Sequence, residues 1–303
     1  MSTIDCAVIG GGPAGLSAAL VLGRSRKRVV VFDGGTPRNA TASYIGGFVT
    51  QDRISPAAFR TAAHEDLRAY PTVELHLGTV VDTIERAGTG FRILASGAEY
   101  TARRVLLTTG LIDEAMPLPG SRELWGRSLF QCPYCHGYEV RDRALAFLAP
   151  EPGEAEWVQL LRSWSSNVML FTSGAFELPA ACRRTLAAAA IPVEERRITG
   201  LAREGRALTG IIVEGGVTVA RDVLFFRPHQ RQTPVVTGLA VALDEHGYVR
   251  IGEDHETSIP GIHAAGDLTT HYHGALAAAS AGSKAAHAIN HALTLDLVGQ
   301  GLL

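Results

Sequence analysis

Short runs of apolar residues, each followed by glycine or an acid, are the main pattern along the chain. Residues 4–9 (IDCAVI) and residues 28–33 (RVVVFD) are two such runs, and LSAALVLGR between them has helical character. Continuous apolar runs of this length are typical of buried parallel strands. Further strands are predicted at 104–110 (RVLLTTG) and 143–149 (RALAFLA), so we expect an α/β fold.

The first predicted strand leads into the glycine-rich segment GGGPAG. Gly10, Gly12 and Gly15 fit the pattern GxGxxG, and Asp33 ends the second strand 23 residues after Gly10. In this pattern the glycines permit a tight turn, the approach of a pyrophosphate, and close packing of helix on strand. An acid at the position of Asp33 can hydrogen-bond a ribose 2′-hydroxyl and disfavours a 2′-phosphate. The segment therefore predicts a site for FAD or NAD(H).

A second candidate motif lies near the end of the printed sequence. Residues 259–267 (IPGIHAAGD) predict a strand that ends at Gly266 and Asp267, and a helix rich in small residues follows. This arrangement resembles the second FAD motif of flavoproteins with two dinucleotide-binding domains; an ordinary turn is the alternative. The resemblance implies that the Asp bonds the ribityl chain and that the helix N-terminus faces the flavin.

Composition and charge narrow the class of protein. The chain has 303 residues, of which 46% are hydrophobic and 19% charged, and its net charge is −2. The length suits two domains, and the proportion of hydrophobic to charged residues is typical of an α/β enzyme. The slightly negative net charge gives no indication of a basic surface for nucleic acid. Because the N-terminus lacks a secretion-signal pattern and no apolar run approaches membrane length, we expect a cytoplasmic protein.

The segment QCPYCHGYE contains two of the four cysteines. Cys132 and Cys135 are three residues apart, and His136 follows directly. In a reducing compartment this spacing is typical of a redox pair or of half a metal site. Zinc would need further ligands at metal spacing, so we predict no metal; two inert thiols are the remaining alternative. We interpret the pair as a redox disulfide, and Cys6 and Cys182 as structural thiols.

GGGPAG, the mid-chain CxxC and IPGIHAAGD, in this order and spacing, resemble the low-molecular-weight thioredoxin reductase superfamily over essentially the whole chain. The resemblance implies two Rossmann-like dinucleotide-binding-type domains of three-layer ββα architecture, and a homodimer. The FAD domain would be 1–112 and 245–303, with a degenerate NAD(P)H-type domain inserted at 113–244. Thioredoxin reductases proper have Asp where this chain has His136. The CxxCHG form and the segment 37–39 (PRN) resemble flavin-dependent dithiol oxidases of the gliotoxin, holomycin and romidepsin kind.

The resemblance also assigns roles to individual residues. Cys135 would be the sulfur nearer the flavin, and Cys132 the sulfur that exchanges with substrate through a mixed disulfide. His136 would shuttle protons, with an imidazole that titrates near neutral pH. A position in the first turn of a helix would favour the thiolate through the helix dipole. The predicted cofactor-binding residues are Gly10, Gly12, Pro13, Ala14, Gly15, Asp33, Arg38, Asn39, Val81, Thr109, Gly110, Gly266, Asp267 and Ala275.

The inserted domain lacks the expected residues where a nucleotide would bind. After the strand at 143–149 the chain reads PEPGEAE, in which prolines remove N–H donors and glutamates repel a pyrophosphate. The next strand, NVMLFTSG, ends in the segment 172–174 (TSG), where NADPH-using members of the family have His-Arg-Arg. We therefore expect no NADPH binding; an altered binding mode is the alternative.

Three functions are compatible with these patterns. The first is a dithiol oxidase that passes electrons from a small dithiol, or from a thioredoxin-like protein, through Cys132 and Cys135 to FAD and then to O2. The second is a disulfide reductase that uses NAD(P)H, ferredoxin or another flavin as donor. The third is a flavin-binding redox sensor or scaffold without turnover. The CxxCHG form and the altered loop favour the first.

Overall fold

The computed structural model describes residues 3–299 and has a mixed α/β fold. In chain order the strands are β1 (Ile4–Ile9), β2 (Val29–Asp33), β3 (Val73–Leu77), β4 (Val81–Ala87), β5 (Gly90–Ala95), β6 (Ala98–Leu107), β7 (Ile112–Asp113), β8 (Leu129–Phe130), β9 (Leu145–Leu148), β10 (Val168–Phe171), β11 (Val193–Glu194), β12 (Ile198–Glu204), β13 (Ala207–Val213), β14 (Val217–Val219), β15 (Val223–Phe226), β16 (Gln230–Arg231) and β17 (Ile262–Ala264). The α-helices are α1 (Pro13–Arg24), α2 (Pro56–Arg68), α3 (Ser121–Leu124), α4 (Pro133–His136), α5 (Ala180–Ala188), α6 (Pro234–Leu239) and α7 (Ala275–Gly299). Two 3-10 helices lie at Pro152–Ser163 and Asp267–Thr269. Within residues 3–299, no helix combines the length and apolar character that a membrane span requires.

The chain divides into two compact units. The first unit consists of Met1–Ala40, Ile54–Ile112 and Gln230–Leu303. The second unit consists of Thr41–Arg53 and Asp113–His229. Each unit has its own sheets and its own hydrophobic core.

The compact units differ from the predicted domains in two short segments. Residues 230–244, predicted in the insert, lie in the first unit because Val235 and Val236 of α6 are buried in its core. Residues 41–53, predicted in the FAD domain, lie in the second unit. A Cβ added to Gly46 in this segment would lie 2.8 Å from the Cys135 carbonyl oxygen, so the two backbones are in close contact. The sequence pattern contains no signal for this long-range contact.

The first unit is built on a seven-stranded sheet. Strands β3, β2, β1 and β6 are parallel neighbours in this order, and β17 pairs in parallel with β6. Strands β5 and β4 continue from β6 in antiparallel pairing. All five residues of β2 are buried, as its β-branched run predicts. Because Ile9 pairs with both Phe32 and Leu107, the carboxyl ends of β1, β2 and β6 meet at one edge.

Helices and strands cover opposite faces of this parallel sheet. On one face α1 and α7 pack together, and a Cβ added to Gly282 would lie 2.0 Å from the Ala14 carbonyl oxygen. On the other face, Ile84 of β4 and Ile93 of β5 share a core cluster with Phe32 of β2. The result is the predicted three-layer ββα arrangement.

The second unit repeats this design with one change. Its five-stranded sheet has the order β11-β10-β9-β15-β8 with parallel pairs throughout, and β12, β13 and β14 form an antiparallel sheet. The first unit has α1 after its first strand, whereas the second has the 3-10 helix Pro152–Ser163 after β9. The predicted fold class, α/β with two Rossmann-like units, is confirmed.

Candidate active site

The turn between β1 and α1 has no room for side chains on its inner side. Gly10 has a φ of +120°, and a Cβ on Gly15 would lie 1.9 Å from the Gly10 carbonyl oxygen. A Cβ on Gly12 would meet no atom within 4 Å, so the outer side of the turn is accessible. Helix α1 begins at Pro13 with Gly12 as its N-cap and no side-chain capping bond. This geometry fits a phosphate group at the helix N-terminus.

Asp33 lies beside this turn at the end of β2. Its carboxylate accepts a hydrogen bond from the backbone N–H of Gly35 at 2.9 Å and forms an ion pair with Arg60 of α2. A Cβ on Gly11 would lie 2.5 Å from the Asp33 carboxyl carbon, so the acid lies directly against the glycine turn. Arg60 could not be found from the sequence, because one arginine on an amphipathic helix carries no signal of a partner 27 residues earlier.

The second predicted motif contacts the first. A Cβ added to Gly266 would lie 3.1 Å from the Ala14 side chain. Asp267 forms an ion pair with Arg38 at 2.8 Å through one carboxylate oxygen, and its other oxygen is buried without a hydrogen-bond partner among residues 3–299. A buried acceptor of this kind costs free energy unless it is satisfied, so the site fits a ligand hydroxyl at this position.

The remaining predicted cofactor residues lie at strand and helix ends of the first unit. Thr109 and Gly110 follow β6, with Gly110 at a φ of +63°, and Asn39 lies in the turn after β2. Val81 is the buried first residue of β4, and Ala275 begins α7. Their roles in binding stay predictions.

A short 3-10 helix lies between the second motif and the final helix. A 3-10 helix at Asp267–Thr269 follows Gly266, and α7 begins at Ala275. The final helix begins where the small-residue run 275–293 (ALAAASAGSKAAHAINHAL) predicts it, and its N-terminus is separated in sequence from Asp267.

Cys132 and Cys135 form a disulfide in the second unit. Cys132 is the N-cap of α4, and its Sγ accepts a hydrogen bond from the backbone N–H of Cys135 at 3.1 Å. Because α4 is a single turn of four residues, the predicted stabilisation of a thiolate by a helix dipole is small. The N–H of Cys135 is the specific donor to the sulfur of Cys132, and it would stabilise a thiolate there.

His136 ends α4 and stacks on Phe130, with ring centroids 4.4 Å apart and an interplanar angle of 19°. Neither ring nitrogen has a partner in hydrogen-bond geometry among the described residues, although the backbone of Cys132 lies nearby. Burial, partly offset by that backbone, lowers the pKa of His136 from 6.5 to about 4. The expectation that this imidazole titrates near neutral pH was therefore wrong for the disulfide form. At pH 7 it is a neutral base.

We expect His136 to make the oxidised protein less stable as the pH falls from 6.5 towards 4. Folding lowers its pKa, so the unfolded chain binds more protons in this range and the free energy of unfolding decreases. Urea titrations at pH 7.5 and pH 5 measure the loss, which should shrink in His136→Leu. His246→Leu, at an exposed position, is the control; equal pH dependence of both variants would contradict the prediction.

Aromatic side chains surround the cysteine turn. Tyr134 and Tyr138 are 72% and 61% exposed, which is unusual for tyrosine and leaves both rings accessible beside the disulfide. The Tyr134 ring meets Trp164 edge-on at 5.6 Å, and the Arg141 guanidinium lies 4.3 Å from the centre of the Tyr138 ring. In the sequence, nothing distinguishes these two tyrosines from the other residues of the segment QCPYCHGYE.

In the second unit, the loop after β9 is where a nucleotide phosphate would bind. A glutamate of this loop forms an ion pair with an arginine that directly follows β15. Glu154 forms an ion pair with Arg227 at 2.9 Å, and the Arg227 guanidinium lies 4.3 Å from the Trp157 ring centre. Burial raises the pKa of Glu154, against the opposing effect of Arg227. A second buried oxygen of Glu154 has no hydrogen-bond partner within residues 3–299. The Glu154 carboxylate therefore lies in the loop for which the sequence predicts that phosphate binding has been lost.

Residues that follow β10 also make hydrogen bonds within the second unit. Ser173 accepts a hydrogen bond from the backbone N–H of Ile198 at 2.9 Å. Arg183 forms two hydrogen bonds with Glu195, at 2.9 and 3.1 Å, and is therefore already paired. Ser173 carries no charge, and the charge of Arg183 is already paired with Glu195. Neither side chain therefore provides a free positive charge for a 2′-phosphate.

The two other cysteines are buried in the cores. Burial raises the pKa of both Cys6 and Cys182, which keeps them as thiols. Within the described range, no group of three or more His, Cys, Asp or Glu side chains could hold a metal ion.

Two Rossmann-like units, a glycine turn beside an Asp-Arg pair, and a CxxC disulfide define a flavin-dependent disulfide oxidoreductase. The family model described as pyridine nucleotide-disulphide oxidoreductase matches residues 4–146. Thioredoxin reductase tcpT from Claviceps purpurea is 30% identical over 98% of this chain and 96% of its own. The crystal structure of HlmI is 37% identical with a TM-score of 0.92, covering 99% of this chain and 95% of that one.

A further relative, named "Probable thioredoxin reductase" from Arthroderma benhamiae, is 34% identical in a match that covers 56% of this chain. The match covers 44% of the length of that relative. The chain belongs to the thioredoxin reductase-like family of pyridine nucleotide-disulphide oxidoreductases, which confirms the resemblance found in the sequence. Membership implies an FAD cofactor. The glycine turn and the unpaired oxygen of Asp267 fit that cofactor.

Proposed function

We propose that the protein is an FAD-dependent dithiol oxidase, which converts a dithiol and O2 into a disulfide and H2O2. The observation that carries the proposal is the internal Glu154–Arg227 ion pair in the degenerate nucleotide loop, in a chain that keeps the Cys132–Cys135 disulfide. With the nucleotide loop altered, the cysteine pair is the remaining entry for electrons. Bound FAD would accept two electrons from the reduced pair and pass them to O2.

The cysteines exchange with the substrate in two steps. A substrate thiolate attacks Cys132 Sγ, which breaks the disulfide, forms a mixed disulfide and releases the Cys135 thiolate. The second substrate thiolate then attacks the substrate sulfur of the mixed disulfide and releases Cys132. The substrate leaves as a disulfide, and its two electrons now reside on the cysteine pair. The N–H of Cys135 supports negative charge on Cys132 as it leaves.

His136 takes up a proton during these steps. It is neutral at pH 7 in the oxidised form, so it can act as the general base for a substrate thiol. Formation of the Cys135 thiolate beside it then favours the imidazolium, because an opposite charge stabilises the protonated form. The proton would be held close to the sulfur on which charge develops.

We also propose that NADPH does not reduce this protein. Glutamate replaces phosphate-binding amides, and the nearby arginines Arg183 and Arg227 are paired with carboxylates. Like charge at close range disfavours a pyrophosphate. A disulfide reductase that uses another electron donor is the second candidate function, favoured by the name thioredoxin reductase that several relatives carry.

An anaerobic stopped-flow experiment tests the direction of electron flow. We expect dithiothreitol or a small aromatic dithiol to bleach the flavin, and NADPH or NADH to bleach it at least about 100-fold more slowly, since both phosphate-binding elements are altered. Admission of air should restore the colour and produce one H2O2 for each disulfide formed. Fast bleaching by NADPH would overturn the proposal in favour of a reductase. Bound flavin that no dithiol bleaches would favour a sensor.

A further inference from the structure

The imidazole of His136 packs face to face on the ring of Phe130. A catalytic histidine normally owes its ring orientation to a hydrogen bond on the nitrogen that does not react. Neither nitrogen of His136 has a partner in hydrogen-bond geometry among the described residues. Its ring instead lies almost parallel to the Phe130 ring at 4.4 Å. The surface on which the imidazole stacks therefore helps to fix its orientation, together with the nearby backbone of Cys132.

Phe130 is itself rigidly placed. It ends β8 and is 5% exposed, and it pairs in register with Phe225 of β15. The Phe225 ring is fully buried, and its centroid lies 5.8 Å from that of Phe130. The rings of Phe225, Phe130 and His136 thus form a column that begins in the core and ends at the cysteine turn. Only Gln131 separates Phe130 from Cys132 in the chain.

We propose that Phe130 is a positioning residue for the dithiol exchange: its ring holds the His136 imidazole in one orientation and shields it from water beside the Cys132–Cys135 disulfide. This inference rests on the proposed function, because it assumes that His136 accepts the substrate proton. A base held in one orientation loses less entropy when the reacting thiol arrives. A base shielded from water also stays neutral below pH 6.5, where a solvated imidazole would be mostly protonated.

The electrostatics agree with this geometry. Burial is the largest cause of the low pKa of His136, and the backbone of Cys132 is the only opposing one; no charged side chain contributes. The side chains that pack on it in the column, Phe130 and behind it Phe225, are apolar. Removal of the Phe130 ring would therefore expose the imidazole to water without changing any charge near it.

Two matched substitutions in the FAD-loaded protein test the proposal: Phe130→Leu and Phe147→Leu. Both phenylalanines are 5% exposed and belong to the same core cluster, so the packing losses are comparable. Only Phe130 stacks on His136. The readouts are the His136 midpoint from NMR titration of the oxidised protein, and the pH profile of anaerobic flavin reduction by dithiothreitol.

We expect Phe130→Leu to raise the His136 midpoint by about one pH unit or more, towards 6.5. Flavin reduction at pH 6 should then slow by up to about fourfold, because a midpoint of 6.5 leaves roughly a quarter of the imidazole neutral. Phe147→Leu should leave both unchanged. Equal midpoints in the two variants and the wild type would overturn the proposal. If Phe130→Leu does not fold, Phe130→Met fills similar volume without a ring and is scored by the same criteria. The NMR titration needs no turnover, so it still tests Phe130 if the wild type fails as a dithiol oxidase.

Discussion

Cys135→Ser is expected to bind flavin normally and to lose all reduction of that flavin by dithiols. A serine hydroxyl cannot form or break a disulfide, so electrons from the substrate have no covalent route through the pair. We expect the rate to fall by about 1,000-fold or more, as when an enzyme loses its covalent group. Anaerobic stopped-flow absorbance measures the rate, and the bound flavin content shows that the fold is retained.

Cys182→Ala is the matched control for this experiment. Cys182 lies buried in the core of the same unit and has no disulfide partner, so its loss should leave the rate of flavin reduction unchanged. The roles of the two sulfurs can also be separated. In Cys135→Ser, Cys132 should accumulate a stable mixed disulfide with an added aromatic disulfide, detectable by mass spectrometry. Normal bleaching by dithiol in Cys135→Ser would show that the assigned roles are wrong.

Asp267→Ala is expected to weaken FAD binding by about 10- to 100-fold. The variant removes the buried oxygen that has no partner in the described residues, and it removes the ion pair between Asp267 and Arg38. A hydrogen bond to a charged group contributes about 1.5–3 kcal/mol, which corresponds to this range of affinity. Fluorescence titration of FAD into the apoprotein measures the dissociation constant. Asp267→Asn, which keeps an acceptor oxygen, should lie between the alanine variant and the wild type.

Asp296→Ala provides the comparison for Asp267. Asp296 forms a similar ion pair with Arg104 at 2.5 Å, but it lies in the C-terminal half of α7 and not at the second motif. We expect its replacement to change FAD affinity by less than about threefold, because surface ion pairs contribute little. Equal weakening by both variants would mean that Asp267 acts through general stability and not through the cofactor.

The parts of the fold that follow from local patterns could be predicted from the sequence. β1, β2 and β9 lie where apolar runs predicted strands, and the glycine turn has the tight geometry that GxGxxG requires. These features depend on residues within one strand-turn-helix segment, so a single sequence is enough to find them. The same holds for the spacing that allows Cys132 and Cys135 to form a disulfide.

Features that depend on distant partners could not be predicted. Nothing near Arg60 or Arg38 in the sequence marks them as site residues. Only the folded chain pairs Arg60 with Asp33, and Arg38 with Asp267. The pKa of His136 depends on its burial against Phe130, and tertiary packing alone determines this burial. The sequence also does not show that α4 is a single turn, because Cys-Pro at a helix start gives no information about where the helix ends.

The close contact between Gly46 and Cys135 affects how the cysteine-bearing unit could be exchanged between relatives. A chimera that replaced only the contiguous segment 113–229 would pair a foreign cysteine turn with the native segment 41–53. In the reciprocal chimera, which places segment 113–229 of this protein in a relative, any bulkier residue at the position of Gly46 would press on the backbone of the second cysteine. A chimera that also exchanges 41–53 keeps both sides of this contact from one parent. The second unit should therefore be exchanged as two separate segments, 41–53 and 113–229, even though most of it is one uninterrupted stretch of chain.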